Sequence, residues 1–359
     1  MNLQREETMP HELLDERLIG PFIRDLGALM HASTVLVGDR LGLYRAMADS
    51  QWVSAAELAA RTDTDTRYVA EWLAAQAASG YAEYDAHTGH FRLSEEQAFV
   101  LTNEFNPMFF PGGIQVAASM IKDVDLIVDA FRDGRGVAWG EHHPDLFVGT
   151  ERFFRTNYIA FLANFWIPAL EGVEAKLRAG ATVADVGCGH GASTVLLAQA
   201  YPRSSFVGYD SHEPSIEVAR KAAAEAGVAD RCRFEVAEAA SYPGRGFDLV
   251  ALFDCFHDLG DPVGAAAHIR ETLAEDGTCM LVEPYAEDQL EDNLTLVGRI
   301  SYAASTMLCT PCSRSQEVGL ALGAQAGEAQ LRKVLEAAGF SRLRRATQTP
   351  LHFVIEARL

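Results

Sequence analysis

The stretch Val183-Ala-Asp-Val-Gly-Cys-Gly-His-Gly-Ala-Ser-Thr194 carries the residue types best suited to chemistry in this chain. An apolar strand bearing Asp185 breaks into Gly187, Gly189 and Gly191 and then opens a helix. Glycines there let the backbone turn sharply and approach a ligand with no Cβ in the way. The free N–H groups of the helix that follows point into the same crevice, so the unit suits a cofactor of the nucleotide type. Gly187, Gly189 and Ala192 also satisfy the dinucleotide fingerprint, with an acid, Asp210, about 20 residues on.

An anionic Asp185 beside the loop suits a zwitterionic, sulfonium-bearing ligand better than a pyrophosphate. Acid-x-Gly-x-Gly-x-Gly resembles motif I of the class I S-adenosylmethionine-dependent methyltransferases. In open α/β sheets ligands bind outside the carboxyl ends of the strands, and those ends extend the resemblance. The second strand ends in Tyr209-Asp210-Ser211, where the family's acid accepts both ribose hydroxyls; on residue type alone, Asp210 also reads as a helix cap near Pro214. The third ends in Ala237-Glu238-Ala239, where the family shows Gly-Asp-Ala with its carboxylate on the adenine amino group, so Glu238 is a longer homologue. The fourth gives Phe253-Asp254-Cys255-Phe256-His257-Asp258-Leu259, with Phe253 and Asp254 assigned to the cofactor.

His257-Asp258 resembles the His-Asp-Trp motif of small-molecule O-methyltransferases, which implies that His257 is the general base; Leu259 replaces the tryptophan. Glu283-Pro284 closes the fifth strand as in that branch, and Glu328 lies near the place of the family's histidine-orienting acid but out of register. Methyl transfer is an in-line displacement that needs alignment above all. A hydroxyl nucleophile also needs its proton removed, which a histidine suits near pH 7. The residues alone leave open that His257 is a satisfied polar side chain near the helix start at Asp261.

Strands and helices alternate from residue 181 onward, which predicts a parallel sheet with helices on both faces. The last two strands, Leu343 to Thr347 and His352 to Ala357, meet at a short turn that requires antiparallel pairing. A parallel sheet finished by an antiparallel hairpin resembles the methyltransferase sheet rather than the dinucleotide-binding one. Ahead of it, residues 1 to 30 read as a helical arm. Ser54-Ala-Ala-Glu57 is a capping box, and a second helix starts at Asp65. Two strands follow around His87-Thr-Gly89, completing a winged helix-turn-helix. Its second helix carries only Arg67 as a basic residue, against Glu71, so DNA contacts are missing. The same module resembles the dimerisation domain of small-molecule O-methyltransferases, which implies a homodimer.

Between these parts Phe154, Tyr158, Phe161 and Phe165 fall on one helical stripe, and the resemblance makes Tyr158 a pocket residue. The expected domains are 1–100, a helical linker 101–175, and a cofactor-binding domain 176–359 in which 285–328 is an apolar, mobile cover over the substrate.

The 359 residues, 48% hydrophobic, allow two domains. No apolar run approaches the roughly 18 residues that span a membrane. Met1 to Glu16 lacks a signal-peptide core, and a cytoplasmic protein is expected. A net charge of −20 disfavours nucleic acid and anionic membranes as partners. The six cysteines form no disulfide framework. Cys309-Thr-Pro-Cys312 has metal or redox spacing but no second pair, so no metal is expected, and His142-His143 reads as a solvated loop. The expectation is therefore S-adenosylmethionine-dependent methylation of a small molecule, most simply at a hydroxyl oxygen. A nicotinamide-dependent oxidoreductase and a ligand-sensing transcriptional regulator are the rivals.

Overall fold

Local capping chemistry sets the amino-terminal elements. Ser54 caps the helix Ala55–Thr62 through the expected reciprocal box with Glu57, and the Asp65 side chain accepts from the Arg67 and Tyr68 N–H groups to start the helix Thr66–Ala78. Strands β1 (Glu83–Asp85) and β2 (His90–Arg92) pair antiparallel as the wing. A long helix, Glu16–Leu41, packs on this module. Trp72 Nε1 donates to the Thr34 carbonyl at 2.8 Å, and fully buried Gln76 accepts from the Tyr44 hydroxyl at 2.6 Å. The computed structural model describes residues 16–359. The chain divides into two compact units, one running to Asn103 and taking in Phe109–Ile114, the other comprising Glu104–Met108 and Gln115–Leu359.

In the second unit the predicted alternation forms β3 (Thr182–Val186), β4 (Ser205–Asp210), β5 (Cys232–Val236), β6 (Phe247–Phe253), β7 (Leu273–Pro284), β8 (Arg342–Gln348) and β9 (His352–Arg358). Their order is β5-β4-β3-β6-β7-β9-β8. The first five are parallel, while β9 runs antiparallel between β7 and β8. Near-continuous apolar runs such as Leu249–Phe253 and Cys279–Val282 are buried, as strands covered on both faces require.

The aromatic stripe departs from the 3.6-residue period. Tyr158–Trp166 is a π-helical segment, whose wider turn shifts the buried face. Tyr158 keeps its buried place, Phe165 turns outward at 59% exposure, and Leu162 and Trp166 take the interior instead. The span 285–328, expected as a mobile cover, contains the helix Leu296–Ala304, a second π segment Ser305–Cys309 and the helix Thr310–Arg314.

Candidate active site

Gly187, Gly189 and Gly191 all sit at positive φ, +75°, +53° and +79°. Two of them are also forced by packing. A Cβ on Gly187 would lie 2.5 Å from Cys255 Sγ, and one on Gly191 would strike Phe234 and Ala219. Gly189 faces open space, where backbone and ligand can meet closely. The loop hangs on β4, since the Gly187 and Cys188 N–H groups both donate to the Tyr209 carbonyl.

Asp185 lies beneath this loop, 1% exposed and not on the cavity wall. Its Oδ2 accepts from the Ser193 and Thr194 hydroxyls, each at 2.6 Å, so it pins the helix start, while Oδ1 is buried without a partner. Burial outweighs those two hydrogen bonds and pushes the carboxyl from 3.8 to about 6. The folded chain therefore holds this proton more tightly than the unfolded chain between 3.8 and about 6. Stability falls as pH rises through that window, and the deficit is complete above it. Asp185→Asn is expected to stabilise the cofactor-free protein at pH 7 by on the order of 1–3 kcal/mol, with little gain at pH 4. Urea melts of both proteins at the two pH values check this, and a pH-independent difference would rule out burial of the charge as its cause.

A cavity of about 510 Å³ opens over the carboxyl ends of the parallel strands. Of the residues that the motifs single out, Gly187, Gly189, Asp210, Ser211, Glu238, Ala239, Phe253, Asp254 and Tyr158 line it. Gly191 lies behind the wall. Asp210 Oδ2 accepts from the Gly189 N–H and Oδ1 from the His212 N–H, both at 2.8 Å, so its carboxylate faces the crevice in a set orientation. The open space at Gly189 and the carboxylate at Asp210 fit a ribosyl cofactor.

Asp254 is held at a left-handed φ of +53°, a conformation that concentrates at functional positions in non-glycine residues. Tyr158 donates its hydroxyl to Asp254 Oδ2 at 3.4 Å. Burial first, then the Asp254 charge, keeps that phenol well above its ordinary range and therefore protonated. His352 Nε2 lies 3.0 Å from Asp254 Oδ1. Sequence reasoning missed His352, because antiparallel β9 begins at the edge where the parallel strands end and pairs it with Pro284.

His257 is 4% exposed and stands behind the cavity wall, whereas its neighbour Asp258 lines it. Nδ1 donates to Glu283 Oε2 at 2.6 Å, and Nε2 is 3.2 Å from Asp258 Oδ1. Burial alone would lower the imidazole, but Asp258 and then Glu283 overcome it and hold it well above the usual histidine range. The acid on His257 is thus Glu283. Glu328, in the first turn of the helix Gly327–Ala337, instead grips Arg332 and Arg345, at 2.6 and 2.5 Å. His142 is likewise not solvated: its ring is buried and Nδ1 donates to Asp123 Oδ2 at 2.9 Å.

Comparison with known proteins agrees with this geometry. The family model for a methyltransferase domain matches residues 177–339, and that for the Rv2258c-like winged HTH domain matches residues 29–103. O-demethylpuromycin-O-methyltransferase of Streptomyces alboniger is 26% identical over 276 residues, covering 69% of this chain and 67% of that protein. An uncharacterized methyltransferase of Bacillus subtilis is 33% identical over 121 residues, 33% of this chain, and the chain spans 47% of its length. Among solved structures, mitomycin 7-O-methyltransferase has a TM-score of 0.68 at 18% identity, covering 96% of this chain and 99% of that one. Human N-acetylserotonin methyltransferase, in complex with S-adenosylmethionine, has a TM-score of 0.67 at 16% identity, covering 99% of each chain.

Strand order, antiparallel edge and glycine loop together define a class I methyltransferase domain and set aside the dinucleotide reading. With a winged-helix domain ahead of its methyltransferase domain, the chain is an S-adenosylmethionine-dependent methyltransferase, similar to the O-methyltransferases above, and S-adenosylmethionine is its cofactor.

Proposed function

We propose that the protein methylates a hydroxyl oxygen of a small molecule, with His257 receiving the acceptor's proton at the wall formed by Asp258. The observation that carries this reading is one continuous cavity, walled by the glycine loop and Asp210 and also by Asp258 and Cys312. S-adenosylmethionine supplies a methyl group already activated by its sulfonium charge. Asp210 and Ser211 hold the ribose, Glu238 and Ala239 flank the adenine, and Asp185 keeps the loop in place from below. Phe147, Phe154 and Trp139 give the rest of the wall an apolar, aromatic lining suited to a flat acceptor. The acceptor's proton passes to the Asp258–His257 pair, which Glu283 orients. The O-methyltransferase names of the relatives support oxygen as the target. Calorimetry should find binding of S-adenosylmethionine and none of NAD, and incubation with hydroxylated aromatic compounds should add one methyl mass. Binding of NAD alone would overturn the assignment.

The long helix Glu16–Leu41 presents Phe22, Ile23, Leu26, Leu29 and Met30, each more than half exposed in the single chain. An apolar face of that length favours a two-fold homodimer through the amino-terminal unit. Light scattering at micromolar concentration is expected to give twice the chain mass; a monomer there removes the dimer. The regulator reading has less support, because Arg67 on the would-be recognition helix is paired with Glu71 at 2.5 Å. A tight complex with duplex DNA at moderate salt would reinstate it. Among the described residues no helix is long and apolar enough to cross a membrane, and all six cysteines are free. Free thiols accord with the reducing cytoplasm, where we place the protein.

A further inference from the structure

The helix Asp145–Asn157 turns one face to the cavity and places Phe147, Glu151 and Phe154 on its wall, at i, i+4 and i+7. Trp139 stands beside them, with its ring centroid 5.8 Å from that of Phe147. A carboxylate set among aromatic rings is the combination that recognises an organic ammonium group: the acid supplies the opposite charge, and the ring faces attract the cation. Glu151 is poorly satisfied within the protein. It pairs with Arg155 at 3.3 Å, and that guanidinium is held more closely by Glu104, at 2.8 Å. Arg152 is likewise engaged by Glu104 at 2.9 Å and by Gln115 at 2.8 Å. Burial outweighs both arginines and raises the Glu151 carboxyl above its ordinary range, so a further cation beside it is favourable. The rest of the wall has the same sign. Asp210, Glu238, Asp254 and Asp258 line the cavity with Glu151, and among the described residues no lysine or arginine does.

We propose that the acceptor is a hydroxylated aromatic amine, whose ammonium group sits on Glu151 among Phe147, Phe154 and Trp139 while its hydroxyl faces Asp258. The role of the hydroxyl rests on the methyl-transfer reading; the place of the ammonium rests on the wall. A cleft lined by one sign of charge between low-dielectric walls concentrates ligands of the opposite sign. S-adenosylmethionine brings a single net positive charge, and its ribose hydroxyls and adenine amino group, proposed for Asp210 and Glu238, are neutral. An aromatic carboxylate or a phosphate ester finds no cationic lysine or arginine on this wall to receive it. The carboxylate also directs the methyl group. An amine kept protonated by Glu151 has no lone pair to attack the sulfonium methyl, which leaves the hydroxyl oxygen as the nucleophile.

The test is calorimetry of the full chain, with and without S-adenosylhomocysteine, against phenols and naphthols matched in shape that carry an ammonium, no charge or a carboxylate; tyramine, para-ethylphenol and para-hydroxyphenylacetate are the phenol set. The ammonium member should bind about tenfold or more tighter than the neutral one, and the carboxylate weakest. Glu151→Gln should remove that preference and leave the neutral member unchanged, with a thermal melt showing that the variant is folded. No preference for the ammonium in either ring series, whether through equal affinity or through absence of binding, overturns the proposal from the wild type alone, as does a preference that survives Glu151→Gln. The cofactor carries an ammonium of its own, so S-adenosylmethionine and methylthioadenosine, which lacks the amino-acid tail, are titrated into both proteins. Affinities unchanged by Glu151→Gln are expected; a loss confined to S-adenosylmethionine would put the cofactor's ammonium on Glu151 and overturn the acceptor assignment. Failure of the wild type to bind S-adenosylmethionine strikes the methyl-transfer reading instead and leaves an ammonium preference measured without cofactor standing.

Discussion

Replacing His257 with alanine is expected to lower turnover by about a hundredfold or more while leaving S-adenosylmethionine affinity nearly unchanged. The separation follows from position. His257 lies behind the wall at Asp258, and the residues proposed to hold the cofactor line the cavity at the ends of β3, β4, β5 and β6. The pH profile makes the prediction sharper. A base must be unprotonated, so turnover rises with pH through its pKa, and Asp258 with Glu283 holds that pKa well above the ordinary 6.5 against the opposing effect of burial. The wild-type inflection should therefore fall above the usual histidine range and vanish in the variant. Glu283→Gln removes one of the two carboxylates and should move the inflection down, marking Glu283 as a positioning residue. Near-normal turnover in His257→Ala would reject His257 as the base and leave alignment alone as the source of rate.

Asp210→Ala is expected to weaken S-adenosylmethionine binding by on the order of 1–3 kcal/mol, about fivefold to 150-fold. The carboxylate has two tasks. It is the proposed ribose acceptor on the cavity wall, and it holds the Gly189 and His212 N–H groups at 2.8 Å. Alanine leaves those donors to water and loosens the loop as well. Asp210→Asn retains one acceptor oxygen and should lose less. Isothermal calorimetry on the three proteins gives the order, and an alanine variant that binds as tightly as wild type would remove Asp210 from the cofactor site.

The elements whose signals are local were legible in the chain. The Ser54–Glu57 box, the Asp65 cap and the glycine loop each act within about one turn of backbone, and the structure forms them where the residues indicate. The apolar runs of β3, β6 and β7 and the short turn before β9 likewise prescribe a parallel sheet with an antiparallel edge. With the glycine loop this sets the cavity wall, because each strand end delivers its own residues to one edge of the sheet.

Contacts between those elements were not legible. Glu328 and Glu283 are both acids at plausible positions, and only the packing of β7 beside the loop after β6 puts Glu283 on His257 and leaves Glu328 to Arg332 and Arg345. His352 reaches Asp254 through β9 pairing, and His142 meets Asp123 across a helix connection. The π turns at Tyr158–Trp166 and Ser305–Cys309 decide that Trp166 rather than Phe165 is buried and bring Cys309 beside Asp258. A helix or strand is selected by hydrogen bonds and side-chain periodicity over a few residues. The partner of a buried ionisable group is selected by the register and packing of segments far apart in the chain, which no local pattern encodes.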